Sequence, residues 1–378
     1  MDVGAFVRPF PGRLTNTPDG HPAFVPDVAP RELALTSGAV RSLDAAATNL
    51  GVLNGIGRRL PNPHLLIAPY LRREAVLSSR IEGTQTTMSD LYASELDHSE
   101  LVDAPDVREV QNYVTAYQAG LAAEIPLSLR LIRELHAELM SGVRGNERRP
   151  GEFRTYQNYI GGLNAAEATY VGPPPDEMTS CLDDLERFIH EDALPPLVQA
   201  AVVHYLFEAV HPFGDGNGRI GRLLIALFLK DRGLLPRPLL YLSAYFERTR
   251  TTYYELLLRV STHGDWDRWI TYFLDGVSIQ AQEAADLADR LLAMQEAYRD
   301  LLLSVRATAN ALALIDQLFF NPLVSTRRVQ TTLGVTAPTA RATIKALEQH
   351  GILREVTGRS WGRVYRADEI YDLLLGDQ

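Results

Sequence analysis

The chain has 378 residues, 46% apolar and 22% charged, with a formal net charge of −10. That length supplies two or three domains and a large core, and the acidic balance argues against nonspecific nucleic-acid binding by the whole chain. A single cysteine, Cys181, excludes an internal disulfide framework and a cysteine-rich zinc site, which suits a reducing compartment. The opening MDVGAFVRPFPGRL holds no long apolar run, so no signal peptide is expected, and no stretch of about 18 apolar residues is present to span a membrane. The expectation is a soluble cytoplasmic protein.

Residues 1–30 are rich in Pro and Gly and predict irregular chain wrapped on a surface. Helical spacing runs from about Pro30 to Leu60 through Leu33, Leu35, Val40, Leu43 and Ala47, and Asn62-Pro63 breaks it. A second helix spans His64 to about Ser79 and leads into Ile81-Glu82-Gly83-Thr84. Helices follow at about 105–124 and 127–141. The segment 151–175 changes character: Phe153, Tyr156, Tyr159, Ile160, Thr169, Tyr170 and Val171 surround Gly161-Gly162 before three prolines, predicting a short hairpin. Helical spacing resumes at 176–192, 197–210 and 218–232, the last ending at Gly233. Helices at about 249–262 and 266–305 complete the body. Residues 277–305 are long enough for a connector or a helix-packing surface that would make a homodimer.

Residues 306–378 carry nine Lys/Arg against seven Asp/Glu, a net +2 that leaves −12 for the preceding 305 residues. Helices at Asn310–Phe320, Ser325–Leu333 and Pro338–His350 precede a hairpin at Leu353–Arg366, the order of a helix-turn-helix with a wing. Thr339, Arg341, Thr343 and Lys345 on the third helix, with Arg359 and Arg363 in the wing, suit phosphate and groove contacts. Two readings stay open: DNA binding, or a winged helix used for dimerisation or target docking.

Between the helices at 197–210 and 218–232 lies His211-Pro-Phe-Gly-Asp-Gly-Asn-Gly-Arg-Ile-Gly-Arg222. The first helix is apolar on all faces and reads as a buried spine. Pro212 ends it and presents His211 at a helix terminus. Phe213 is the loop's one large apolar residue and reads as its plug. Gly216-Asn217-Gly218 let successive backbone N–H groups converge on an anion, and the following helix adds the positive end of its dipole. Arg219 and Arg222, three apart, share a helical face and suit bidentate phosphate contact. Asp215 offers an oxygen ligand for Mg²⁺. Together these residues predict a bound nucleoside polyphosphate, with His211 as general base toward an incoming hydroxyl.

The segment resembles the signature of the Fic family, His-Pro-Phe-x-(Asp/Glu)-Gly-Asn-Gly-Arg-x-x-Arg, at every fixed position. Gly151-Glu152-Phe153-Arg154, Ile160-Gly161-Gly162 and Tyr170-Val171-Gly172-Pro173-Pro174 resemble that family's flap, and about 30–275 is family-like. The resemblance implies a mainly α fold: a Fic-type helical bundle with a short β-hairpin flap, followed here by the winged helix-turn-helix. The corresponding division is 1–104 with an inhibitory helix, 105–275 as catalytic core, 276–305 as connecting helix and 306–378 as winged helix. It implies transfer of AMP from ATP to a Ser, Thr or Tyr hydroxyl of a target protein, self-modification included, with release of pyrophosphate. His211 is then the base, Asp215 the Mg²⁺ ligand, and Gly216, Asn217 and Gly218 the anion hole. Arg219 and Arg222 hold successive phosphates, with Ile220 and Gly221 between them. Tyr245, Tyr253 and Tyr254 lie where relatives contact the nucleoside, Tyr254 foremost. The flap residues Ile160, Gly161, Gly162, Tyr170 and Val171 would pair with a target strand.

Ser78-Ser-Arg-Ile-Glu82-Gly83 resembles the same family's inhibitory motif, (Ser/Thr)-x-x-x-Glu-(Gly/Asn). By that resemblance Glu82 pairs with Arg222 and removes the γ-phosphate's partner. Glu-Gly at a helix end is also an ordinary C-cap. Two alternatives stand beside AMP transfer. One is a Fic-type enzyme that also removes AMP or uses another nucleotide donor. The other is a nucleotide-sensing DNA-binding regulator.

Overall fold

The computed structural model describes residues 1–59, 64–96, 105–162 and 164–375; the expected break at Asn62-Pro63 lies outside them. Within them the chain is mainly α, with 15 α-helices and five short strands.

The first thirty residues are more regular than their composition predicts. β1 (Gly12–Asn16) and β2 (Pro22–Pro26) pair antiparallel with Leu14 opposite Phe24. Thr17-Pro-Asp-Gly20 joins them, Gly20 at φ +81°. That tetrapeptide is a turn signal, hidden among the surrounding prolines. The Phe24 ring is fully buried, and its N–H donates to the Val171 carbonyl at 2.9 Å.

The first helix, α1 (Ser37–Arg59), begins seven residues later than its spacing predicts. Thr36 stops it there: its hydroxyl accepts from the Ala39 N–H, while its own N–H and hydroxyl donate to Asp267. Leu33 and Leu35 therefore pack from extended chain. α2 (His64–Ile81) carries Pro69 in its second turn and runs two residues past the expected end. α3 (Met88–Ser94), capped by a reciprocal Thr87–Asp90 box, is too short for periodicity to find. α4 (Pro105–Ala122) and α5 (Leu129–Leu139) fall where expected.

α6 (Pro175–His190) leads into α7 (Pro196–Val210), whose residues are buried at thirteen of fifteen positions. α8 (Asn217–Asp231), α9 (Ser243–Arg248), α10 (Arg250–His263) and α11 (Trp266–Ser304) complete the body. α7 packs on α6, α8, α10 and α11, so its apolar residues have partners all round. α11 is one continuous 39-residue helix that lies along α1. The expected connecting helix at 276–305 is its second half. The hairpin expected at 151–175 reduces to one antiparallel bridge, Ile160–Tyr170. Its second limb bonds elsewhere: the Tyr170 hydroxyl donates to the Ala209 carbonyl, and Val171 pairs with β2.

The C-terminal module runs α12 (Ala309–Leu318), β3 (Leu323–Ser325), α13 (Thr326–Leu333), α14 (Ala337–Gln349), β4 (Arg354–Glu355), β5 (Val364–Arg366) and α15 (Asp368–Leu375). Its sheet order is β3-β5-β4, all antiparallel. α13 and α14 are joined through Gly334 at φ +65°. The element order follows the expected one, with β3 and α15 added. No helix among the described residues is long and apolar enough to cross a membrane.

The module is bonded to the body. Asn321 Nδ2 donates to the Tyr92 carbonyl at 3.2 Å and to Glu95 at 3.1 Å, and Asn321 Oδ1 accepts from the Leu323 N–H. Tyr298 donates to Glu369, and Arg299 pairs with Asp316. Asn321→Ala removes the side-chain partners of the Tyr92 carbonyl and the Leu323 N–H and is expected to cost about 1–3 kcal/mol. A thermal melt reads this as a lowered midpoint, with limited proteolysis releasing residues 306–378 earlier than from the parent.

Candidate active site

The loop after α7 is held in a conformation its residues do not favour. His211 sits in the left-handed region at φ +51°, ψ +62°, an uncommon state for a residue with a Cβ. Its carbonyl accepts from Arg154 Nε at 2.9 Å and Asn158 Nδ2 at 3.2 Å. Arg154 also donates to the carbonyls of Tyr156, Pro173 and Val210. Burial lowers this guanidinium's pKa to about 10, still far above neutrality. Phe213 is fully buried and stacks on His136, ring centroids 3.7 Å apart. His136 Nε2 donates to the Asp215 carbonyl while Nδ1 accepts from the Gly151 N–H. Asn217 staples the loop from its other side, its amide bonding both the N–H and the carbonyl of Phe213.

This clamp sets the chemistry of His211. Its Nδ1 donates to the Glu208 carbonyl at 3.2 Å, which leaves Nε2 unprotonated and available as an acceptor. Burial lowers the imidazole pKa to about 4, so the ring is neutral at pH 7. Glu208 itself lies with Oε2 4.0 Å from Nδ1. Burial raises its carboxyl to about 8, and Oε1 has no hydrogen-bond partner.

α8 opens on Gly216, in the left-handed region at φ +75°, with no side-chain cap on the helix. The first intrahelical bond runs from the Ile220 N–H, so the N–H groups of Asn217, Gly218 and Arg219 form an anion-binding end. Glu82 is already there. A Cβ on Gly218 would collide with Glu82 Oε1, so only glycine allows that carboxylate so close to the helix end. Arg222, 3% exposed, donates to Glu82 Oε1 at 2.7 Å, to Ser78 Oγ at 2.9 Å and to the Ser78 carbonyl at 2.8 Å. Burial alone would raise the Glu82 pKa, but the charge and hydrogen bond of Arg222 outweigh it and hold the carboxyl below its usual range. Arg219 lies 3.5 Å from Glu109 and 3.7 Å from Asp215. Arg222 Nη1 and Arg219 Nε are buried without a partner.

Glu82 is placed by the end of α2. The Thr84 N–H bonds to the Ser79 carbonyl and the Gly83 N–H to Arg80, a Schellman closure with Gly83 at φ +97°. The C-cap and the ion pair expected at this position are thus the same structure. The closure fixes the backbone of Glu82 and aims its side chain at Arg222.

Several expected site residues lie elsewhere. Tyr253 is fully buried and its hydroxyl donates to His204 Nε2, making it core. Tyr245 packs on Tyr272 at 4.9 Å and covers Gly276. Tyr254 remains 42% exposed beside the cleft, close enough for Glu82 and Arg222 to act on its hydroxyl. Ile220 is fully buried and Gly221 backs onto Glu208 of α7, so both serve helix packing. The Asn217 side chain is consumed by Phe213, leaving only its backbone for an anion. Tyr170 and Val171 are buried anchors, while Ile160, Gly161 and Gly162 stay accessible. Asp215 Oδ1 accepts from the Gly216 N–H, and Oδ2 is left over. Arg154, His136 and Glu208 carry roles that sequence reasoning did not assign. The only local signal was Arg154 within the family-like Gly-Glu-Phe-Arg.

Three buried imidazoles share a pH signature. Burial lowers His136 and His211 to about 4 and His204 to about 3, against an ordinary 6.5. Below pH 6.5 the unfolded chain takes up protons that the native rings refuse, so stability falls as pH falls from 6.5 toward 4. The depressed Glu82 acts in the same direction below its ordinary pKa. Glu208, raised to about 8, acts oppositely as pH rises above the ordinary carboxylate range, so the urea midpoint is expected to peak at about pH 6.5 and to fall on both sides. Proton NMR should find these three rings untitrated at pH 5.

Residues 40–122 match the family model described as Fic/DOC family N-terminal, and residues 126–229 match Fic/DOC family. The chain is 31% identical over 160 residues to Protein adenylyltransferase Fic of Drosophila melanogaster, covering 42% of this chain and 29% of the relative. Against the protein of the same name from Drosophila virilis it is 28% identical over 207 residues, 52% and 39% of the two chains. It therefore spans well under half the length of the curated relatives it matches. A solved Fic family protein from Desulfovibrio desulfuricans G20 superposes with a TM-score of 0.56 at 20% identity, covering 89% of this chain and 97% of that one. A Fic domain containing signaling protein from Bacteroides thetaiotaomicron gives 0.50 at 20% identity, covering 65% and 95%. These two likenesses establish the shared fold.

Proposed function

The chain belongs to the Fic/DOC family, and from that premise we propose that it is a protein adenylyltransferase held off by its own Glu82. The observation that carries this reading is the carboxylate of Glu82 against Gly218 and Arg222, at the N-terminus of α8. A helix end with a buried arginine beside it is an anion site, and here the chain's own carboxylate occupies it.

ATP fits this cradle by the groups that lack partners. Its phosphates take the N–H groups of Asn217, Gly218 and Arg219, together with the arginines whose Nη1 and Nε are unsatisfied. Tyr254 flanks the mouth where a nucleoside base would lie. Asp215, with Oδ2 to spare, is the residue that would hold Mg²⁺, which would supply neutralisation of phosphate charge. The reacting step is displacement at the α-phosphorus. The acceptor oxygen forms a bond to phosphorus, His211 Nε2 takes its proton, and the bond to the bridging oxygen breaks with its electron pair leaving on pyrophosphate. The target's main chain runs along Ile160-Gly161-Gly162, while buried Tyr170 and Val171 keep that edge in place.

Inhibition follows from charge. Glu82 spends the donors of Arg222 that a γ-phosphate needs and adds like-charge repulsion to it. Removing the carboxylate frees Arg222 for a phosphate, while the Ser78 hydroxyl and carbonyl still hold its guanidinium in place. Glu82→Gly is expected to raise transfer of label from α-labelled ATP to protein by about tenfold or more, since the γ-phosphate regains a charge-assisted partner. His211→Ala in that background should lower it by about 10²–10⁴-fold. Parallel reactions with GTP, CTP and UTP read the donor. No labelling from ATP, or equal labelling without His211, overturns the proposal.

A further inference from the structure

We propose that the exposed face of α14 and the loop between β4 and β5 bind duplex DNA, with Trp361 entering the minor groove. The first observation is Trp361 itself. It is 87% exposed at the tip of the loop, the most exposed large apolar side chain among the described residues. Gly358 and Gly362 flank it at φ +61° and +63°, which makes the tip a tight projection. Arg363 Nε donates to the Arg359 carbonyl at 2.8 Å and braces the loop across its base. An aromatic ring therefore stands between two exposed guanidinium groups. Apolar wedges flanked by Arg are how proteins enter and widen a minor groove.

The second observation is charge segregation. The module's net charge is small, but four of its acids are engaged by ion pairs or hydrogen bonds. Asp368 is shared by Arg354 and Arg366, Asp316 pairs with Arg299, and Glu369 accepts from Tyr298. Glu355 accepts from the N–H groups of Thr357 and Gly358 at the base of the loop. Arg328, Arg341, Lys345, Arg359 and Arg363 are exposed and have no ion pair with described residues. Two acids remain among the described residues: Glu348, half-buried near the end of α14, and Asp372 on α15, the helix that packs on α11. Among the described residues, these five exposed cations outnumber the two unengaged acids.

The third observation is shape. Pro338, Arg341, Ala342, Lys345 and Gln349 are exposed at helical spacing and form one face of α14. The module is bonded to the body through Asn321, α12 and α15, which leaves α14 and the loop unobstructed. A helix of ordinary diameter fits the major groove, about 12 Å wide, with the loop reaching across the backbone to the neighbouring minor groove. A second protein chain would need a wider apolar patch than Trp361 and Val356 supply.

The test uses the full chain and a fluorescein-labelled random-sequence duplex of about 25 base pairs, read by anisotropy across a salt series. Expected is binding at about 50 mM salt that weakens about 10²-fold by 200 mM, the dependence of roughly four phosphate contacts. Arg341→Ala with Lys345→Ala should weaken binding and reduce the log–log salt slope by about 2. Trp361→Ala should weaken binding about tenfold with the slope unchanged, and Trp361→Phe should restore part of the loss. Circular dichroism melts confirm that these exposed substitutions leave the fold intact. His211→Ala should bind the duplex as the parent does, which separates this proposal from AMP transfer. No binding at 50 mM, equal binding by the variants, tighter binding of single strands, or a Trp361-dependent dimer in sedimentation without duplex binding overturns it.

Discussion

A guanidinium buried to 3% exposure cannot remain without a counter-charge, and the arrangement around Arg222 follows from that constraint. Its partners come from α2: the Ser78 hydroxyl and carbonyl, and the Glu82 carboxylate. The same carboxylate lies at the N-terminus of α8, where the helix dipole adds to its stabilisation. One ion pair thus docks α2 against α8 and fills the site that a phosphate would use. Removing one partner leaves a buried charge, so the resting state is strongly held.

The loop that carries His211 answers a second constraint. A left-handed histidine between a buried helix and a proline is strained, and the strain is borne by hydrogen bonds to its carbonyl. Arg154 joins the loop to the 151–175 segment through four main-chain carbonyls, so one side chain ties the proposed base to the segment proposed to receive the target. Phe213 and His136 seal the loop from beneath. The geometry at His211 therefore depends on residues that lie outside the His211–Arg222 run as well as on the run itself.

Much of this was legible from local pattern. α7 was visible as a helix apolar on every face because it has packing partners on every side. The His211–Arg222 run was legible because glycine, histidine and arginine at those spacings meet few structural needs. Less visible were β1 and β2, whose alternation was masked by proline, and α3, which is shorter than two helical repeats. The tyrosines show the limit most clearly. Tyr245, Tyr253 and Tyr254 stand within ten residues, yet only Tyr254 is exposed within reach of Glu82 and Arg222, because burial depends on which helix covers which face. Nothing in the residues near Tyr253 announces that its hydroxyl meets His204, 49 positions away.

By itself, the sequence determined the helical class, the family-like loop, the polarity of the anion site and the helix end that carries Glu82, because each is written in spacing over a few residues. Tertiary structure alone decided that the Asn217 side chain serves the loop and that Arg154 clamps His211, and it supplies the contact across 140 positions by which Glu82 meets Arg222 as the family resemblance implied. Those are contacts between distant segments. Their existence depends on how the helices pack, and packing is a property of the whole core.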